Sequence, residues 1–133
     1  MLQRLAQCNC GQLRATCEGE PVRVSVCHCL ACKRRTGSAF SHNATFARDQ
    51  VKTEGVARSY SRKTDTGRTN TYHFCPDCGS TVFYEVEMRP GTLAVPAGAF
   101  ADPMFPKPTV EVFPERKVGW CELDVGDAVS EPS

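Results

Sequence analysis

Short segments in which apolar and polar residues alternate recur along the chain, separated by turn residues. The clearest five are QLRATC (12–17), VRVSV (22–26), TNTYHF (69–74), STVFYEVE (80–87) and TVEVF (109–113). Alternation with a period of two places successive side chains on opposite faces of a strand, so each segment predicts a β-strand with one buried face. The pattern therefore predicts a mainly β protein built from antiparallel sheets.

Helices are expected to be few and short. No window of about eleven residues keeps its apolar residues on one helical face, and ten glycines and nine prolines interrupt the chain. FARDQV (46–51) is the best candidate for a single helical turn.

The length of 133 residues suits one domain around one core. We predict that residues 1–123 form this single domain. The segment 124–133 is polar and lacks aromatic residues, so we predict that it frays.

The charge balance gives no reason to expect a nucleic-acid or membrane partner. The formal net charge is +1 and charged residues make up 23% of the chain, so electrostatic steering depends on local clusters, of which Lys33, Arg34 and Arg35 form the clearest. No segment approaches the roughly 18 apolar residues that span a bilayer, and the first ten residues lack an apolar stretch of signal-peptide length. We expect a soluble cytoplasmic protein.

Nine cysteines are many for this length. Seven of them fall into three groups: CNCG (8–11), CHCLAC (27–32) and FCPDCGS (74–80). Cysteines with one or two residues between them are poorly placed for a disulfide bond with each other, yet they converge easily on a metal ion. The spacing therefore predicts metal ligation. Cys17 and Cys121 have no close partner and are expected to be small buried apolar residues.

The groups differ in form, and this suggests how they combine. In CPDCG, proline favours a tight turn and the following glycine allows a positive φ, so Cys75 and Cys78 can face one ion. A closed tetrahedral zinc site needs two more ligands, and CNCG, which ends in the same glycine, offers Cys8 and Cys10. This pairing leaves three cysteines at 27, 29 and 32 as an open site, the arrangement of a catalytic zinc.

Two alternatives remain open from the residues alone. CNCG could instead complete the CHCLAC site, or a histidine at 28, 42 or 73 could provide the fourth ligand. His28 is the weakest candidate, because a residue between two ligands usually points away from the metal.

The order C-x-C-G, then C-H-C-x-x-C with basic residues and TGS, then F-C-x-x-C-G-S, and finally FPERKVGW resembles the glutathione-dependent formaldehyde-activating enzymes, a family that includes the centromere-protein-V-like proteins. The resemblance runs from about Gln7 to Trp120. It implies a β-tent fold with two zinc ions. In the family the first and third motifs hold the structural ion and the middle motif the catalytic ion, which carries over to the ligand sets above: Cys8, Cys10, Cys75 and Cys78 for the first, and Cys27, Cys29 and Cys32 for the second.

The resemblance also implies an activity: addition of the glutathione thiol to formaldehyde, which gives S-(hydroxymethyl)glutathione, a carbon–sulfur lyase-type reaction. The basic residues that follow the last ligand are candidates for binding the substrate, with Arg34 and Arg35 better suited to a carboxylate than Lys33. The alternative function is a non-catalytic zinc module for a small ligand or a partner protein. One departure concerns substrate choice, because Glu111 stands where many relatives carry histidine. The single tryptophan, Trp120, is expected to close the core rather than line a pocket.

Overall fold

A computed structural model describes residues 2–125 and 129–131. The strands are β1 (Gln3–Gln7), β2 (Arg14–Glu18), β3 (Arg23–Cys27), β4 (Ser41–Ala47), β5 (Val51–Glu54), β6 (Arg58–Lys63), β7 (Thr69–Phe74), β8 (Thr81–Val86), β9 (Thr92–Pro96), β10 (Val110–Val112) and β11 (Val129–Glu131). The α-helix α1 spans Leu30–Thr36, and 3₁₀ turns span Arg48–Gln50, Ala97–Phe100 and Pro114–Arg116. The prediction of a mainly β protein with few short helices is confirmed.

The strands form two sheets. The small sheet has the order β1-β2-β5, and the large sheet has the order β11-β10-β3-β4-β9-β8-β7-β6. Neighbours pair antiparallel except at one end of the large sheet, where β10 runs parallel to both β3 and β11. β10 therefore brings the C-terminal part of the domain alongside the end of β3, where Cys27 lies.

The alternating segments correspond well to strands. TNTYHF matches β7 with identical bounds, and the other four segments overlap β2, β3, β8 and β10 with ends that differ by one or two residues. The turn expected in 46–51 is present as the 3₁₀ turn Arg48–Gln50. Helix α1 escapes prediction because none of its seven residues is buried, so it has no apolar stripe that a periodic pattern could reveal.

The core lies between the two sheets. Leu13, Ala15 and Cys17 face it from β2 and the loop before it, while Phe46 and Val95 face it from the large sheet. Cys17 and Cys121 are buried, as predicted. The prediction for Trp120 is wrong, because its side chain is 80% exposed.

The opposite face of the large sheet carries a different set of side chains. Cross-strand pairing aligns one row from β7 to β3: Tyr72, Tyr84, Ala94, Thr45 and Arg23. All five line one cavity. Because successive side chains point to opposite faces of a strand, the same strands supply the core on one face and this cavity on the other.

The tail expected to fray falls partly outside the described residues, which omit 126–128 and 132–133. Within the tail, Val129–Glu131 pairs with β10. No helix in the described part of the chain is long and apolar enough to cross a membrane.

Gly55 permits a close approach between the loop after β5 and the loop before β2. Its φ is +102°, and a Cβ there would overlap the carbonyl oxygen of Gln12 and lie 2.9 Å from the Cα of Leu13. The approach lets the Gln12 side chain bond both backbone polar groups of Val56, at 2.7 and 2.9 Å. A side chain at Gly55 is therefore excluded by both space and backbone conformation.

We predict that Gly55→Ala lowers the free energy of unfolding by about 2–5 kcal/mol, since strain at positive φ and overpacking against backbone add. The matched control is Gly67→Ala, where φ is +83° but nothing lies within 4 Å of the new Cβ; it should lose only about 1–2 kcal/mol. Urea unfolding of both variants measures the difference. Equal losses would contradict the role given to the Gln12 contact.

Candidate metal centres

Four cysteines from two distant turns meet at one end of the domain, and we call them the four-cysteine cluster: Cys8, Cys10, Cys75 and Cys78. The first two lie in the turn between β1 and β2, and the last two in the turn between β7 and β8. All four sulfur atoms lie within 4.8 Å of one another. The cluster therefore joins the small sheet to the large sheet.

The two turns have matching backbone designs. The N–H of Gly11 donates to the Cys8 carbonyl at 3.0 Å, and the N–H of Gly79 donates to the Cys75 carbonyl at 2.8 Å. Both glycines have a positive φ, +86° and +80°. The glycine after each cysteine pair thus lets the chain turn back sharply enough for both thiols to face the same point.

The sulfur spacing in this cluster fits a tetrahedral zinc ion. Four sulfurs about 2.3 Å from such an ion lie about 3.8 Å apart. The observed Sγ–Sγ distances are 3.6 Å from Cys8 to Cys10 and 3.7 Å from Cys10 to Cys75. Thiolate donors of this kind are those that zinc prefers in closed sites.

Hydrogen bonds around the cluster favour thiolates. Gln12 Nε2 donates to Cys75 Sγ at 3.0 Å, and the Leu13 N–H donates to Cys8 Sγ at 3.3 Å. Hydrogen bonds from the side chain and backbone of Ser80 lower the pKa of Cys78 to about 5. Donors aimed at sulfur stabilise the charged form that a metal requires.

Cys27, Cys29 and Cys32 form the second group, the three-cysteine cluster, with sulfur atoms again within 4.8 Å of one another. Cys27 ends β3, and Cys32 lies in the first turn of α1. Cys29 is the N-cap of the helix, since its Sγ accepts the Cys32 N–H at 3.3 Å. The change from strand to helix thus brings the three thiols together.

The thiols of this cluster share protons unequally. Hydrogen bonds from Cys27 and then Cys32 lower the pKa of Cys29 to about 2, whereas hydrogen bonds with Cys29 and then Cys32 raise the pKa of Cys27. Burial also disfavours more than one charge in the absence of a counter-ion. A divalent ion that replaces these shared protons would stabilise all three thiolates together.

No histidine joins either cluster among the described residues. His28 is fully buried and points to β10, where its Nε2 lies 3.0 Å from Glu111 Oε2. His42 contacts the Phe105 ring edge-on, and burial lowers its pKa. His73 bonds Glu85 at 3.0 Å. The two clusters therefore consist of four and three cysteines.

A cavity of about 240 Å³ adjoins the three-cysteine cluster and is lined by all three of its members. Arg34 and Arg35 also line it. Lys33 does not: its ammonium group donates to the carbonyl of Arg116, which ties α1 to the 3₁₀ turn Pro114–Arg116. The structure thus brings two of the three candidate basic residues to the cavity.

Four further arginines line the cavity: Arg23, Arg62, Arg89 and Arg116. The sole carboxylate that the described chain places in the lining, Asp65, pairs with Arg116 at 3.3 Å. Sequence reasoning misses these arginines because they are scattered over the chain and only sheet order brings them together. The cavity is consequently suited to anionic ligands.

The fold and the two clusters together define a class of protein, namely a β-sheet domain with cysteine-only clusters that can hold metal ions. Residues 3–116 match the family model described as "Glutathione-dependent formaldehyde-activating enzyme". The chain belongs to this family.

A crystal structure of a Rhodobacter sphaeroides protein, a structural-genomics target, shares the fold with a TM-score of 0.57. The two chains are 21% identical, and the match covers 71% of this chain and 85% of the other. No curated protein sequence matches this chain significantly.

We predict that Glu111→Ala lowers the free energy of unfolding by about 1–3 kcal/mol, because it leaves the buried Nε2 of His28 without its partner. Glu111→Gln should recover much of the loss, since an amide can still accept from or donate to the ring. Thermal unfolding compares the two, with the exposed Glu115→Ala as control. A Glu111→Ala variant as stable as that control would contradict the structural importance of this contact.

Proposed function

We propose that the three-cysteine cluster is an open zinc site that binds a small thiol such as glutathione and activates it for addition to formaldehyde or a similar small carbonyl compound. The observation that supports this most strongly is the difference in ligand number between the clusters. Zinc in proteins is normally four-coordinate, so four cysteines fill a site and three leave one position for a substrate. The reaction would make the protein a carbon–sulfur lyase-type enzyme.

We assign the four-cysteine cluster a structural role. Its sulfurs join turns from two sheets, and the sulfur of Cys8 is buried while Gln12 covers that of Cys75. A site filled by four cysteines can stabilise the fold but offers no position to a substrate. The protein would therefore hold two zinc ions, one structural and one catalytic.

Bound zinc would supply the positive charge that converts an incoming thiol into a thiolate at neutral pH. The surrounding residues provide for the rest of the substrate. Arg34 and Arg35 carry guanidinium groups suited to its carboxylates, and the cavity offers room beside the cysteines. In the addition a carbon–sulfur bond forms, the carbonyl π electrons move to oxygen, and that oxygen takes up one proton in place of the one lost by the thiol.

We infer that the protein works in a reducing compartment, the cytoplasm. All nine cysteines are free thiols in the structure, including the two that belong to neither cluster. Metal ligation and nucleophilic thiol chemistry both require that cysteines remain reduced.

Cobalt substitution tests the open site. Cobalt in the three-cysteine cluster should show a thiolate-to-metal charge-transfer band that shifts when glutathione is added, because a fourth sulfur enters the coordination sphere. The Cys32→Ser variant, which retains the four-cysteine cluster, is the control and should not respond. Spectra of the unaltered protein that ignore every thiol would leave the alternative, a non-catalytic zinc module.

Replacing a ligand should have different consequences at the two clusters. Cys75→Ser or Cys8→Ser should unfold the protein, since structural zinc contributes about 10–16 kcal/mol of binding energy to folding, comparable to or more than the roughly 5–15 kcal/mol by which domains are stable. Cys29→Ser or Cys32→Ser should leave a folded protein with one zinc in place of two, because β3 and α1 keep their backbone contacts.

Circular dichroism and metal analysis together measure these outcomes. A Cys75→Ser variant that melts at the same temperature as the unaltered protein would contradict the structural role of the four-cysteine cluster. Loss of both metal ions from Cys32→Ser would show that the clusters are not independent.

A further inference from the structure

Arg62 occupies an unusual position on β6. This strand is the last of the large sheet, and every residue in it except Arg62 is exposed. The register places Arg62 opposite Asn70, and both line the cavity beside the three-cysteine cluster. An arginine far along the chain thus faces the same cavity as the cysteines.

Within residues 2–125 and 129–131, Arg62 forms no hydrogen bond or ion pair with a carboxylate. The one acidic residue in the lining, Asp65, lies three positions away but pairs with Arg116. A half-buried guanidinium group with unused donors can satisfy them with an anionic ligand.

Arg35 reaches the cavity from the other side, on α1. Its guanidinium lies 4.8 Å from the ring centre of Tyr72 and 5.2 Å from that of Tyr84. These contacts hold the flat group in place without neutralising its charge. Its Nε is buried and has no hydrogen-bond partner among the described residues. Arg35 is therefore fixed in position with donor capacity unused.

Arg34 also lines the cavity, but it differs from both because it is exposed. Water solvates an exposed cation well, so its ion pairs contribute little. Arg62 and Arg35, by contrast, combine partial burial with unused hydrogen-bond donors.

We propose that Arg62 and Arg35 form a carboxylate-binding subsite beside the three-cysteine cluster, which makes the site selective for thiols that carry a carboxylate. This rests on the proposed function, because the thiol must bind at the cysteines for the subsite to receive its carboxylate. Within this subsite, Arg62 is a determinant of carboxylate selectivity in addition to Arg35. It approaches from the far edge of the sheet, so a ligand held by both arginines would lie across the cavity from β6 to α1.

The experiment compares two probes that share one thiol: glutathione, and glutathione diethyl ester, in which both carboxylates are masked. Their dissociation constants are measured by calorimetry on the zinc-loaded protein and on Arg62→Gln, with equal zinc content checked for each. The unaltered protein should prefer glutathione by about tenfold or more, the effect of one charge-assisted hydrogen bond. Arg62→Gln should reduce that preference and leave the affinity for the ester unchanged.

Lys63→Gln is the matched control, since Lys63 is the adjacent cation on β6 and is absent from the cavity lining. It should keep the full preference. Arg62→Lys should retain part of it, because the charge remains but the paired donors are lost. If Arg62→Gln fails to hold both zinc ions, the preference of Arg62→Lys for glutathione over its ester tests the subsite instead.

Three outcomes would overturn the proposal. If Arg62→Gln weakens both probes equally, Arg62 acts on the metal–thiolate centre and not on the carboxylates. If the unaltered protein binds both probes with the same affinity, the open thiol site stands and the subsite does not. If neither probe binds, the proposed function fails and the subsite fails with it.

Discussion

The convergence of four sulfur atoms from two turns is the constraint on which the fold depends. The turns lie in different sheets, and the sequence separation between Cys10 and Cys75 is 65 residues. Four thiolates brought this close repel each other unless a cation lies between them. In the structural role proposed for this cluster, a metal ion would couple the position of the small sheet over the core to metal occupancy, and the interior of such a small domain would not need to supply all of the stability itself.

The two faces of the large sheet carry different sets of side chains, one for the core and one for the cavity. The face covered by the small sheet is filled with residues such as Phe46 and Val95. On the other face, the rings of Tyr72 and Tyr84 are in contact, with centres 4.9 Å apart and planes tilted by 35°, and both contact Arg35. The cavity needs no separate domain or long loop, because the period of two along each strand gives core and site to alternate residues. A change in register by one residue would exchange the two sets.

Local motifs made the two cysteine clusters predictable from sequence, whereas the arginines that line the cavity come together only through the topology of the fold. Cysteines one to three residues apart must share a turn, so CNCG, CHCLAC and CPDCG could be recognised directly. The partner of each turn remained open, since the packing of the small sheet on the large sheet brings Cys8 to Cys75 and no local pattern encodes that packing. Arg62 is the extreme case. It lies on an exposed edge strand with no apolar alternation, and three intervening strands of the large sheet, β7, β8 and β9, separate β6 from β4.

Sequence reasoning missed helix α1 and misplaced Trp120 for the same physical reason. Both expectations assumed that the residues concerned would be buried, and they are not. Helix α1 has no buried residue, and the thiol cap at Cys29 and the Lys33 contact with the carbonyl of Arg116 help to fix its position. Trp120 was assigned to the core because it is large and apolar, yet Phe46 and its neighbours already fill the space between the sheets. In a small domain of this kind, polar contacts can fix an element that packing does not. That is how α1 can present Cys32 and Arg35 to one cavity without an apolar face of its own.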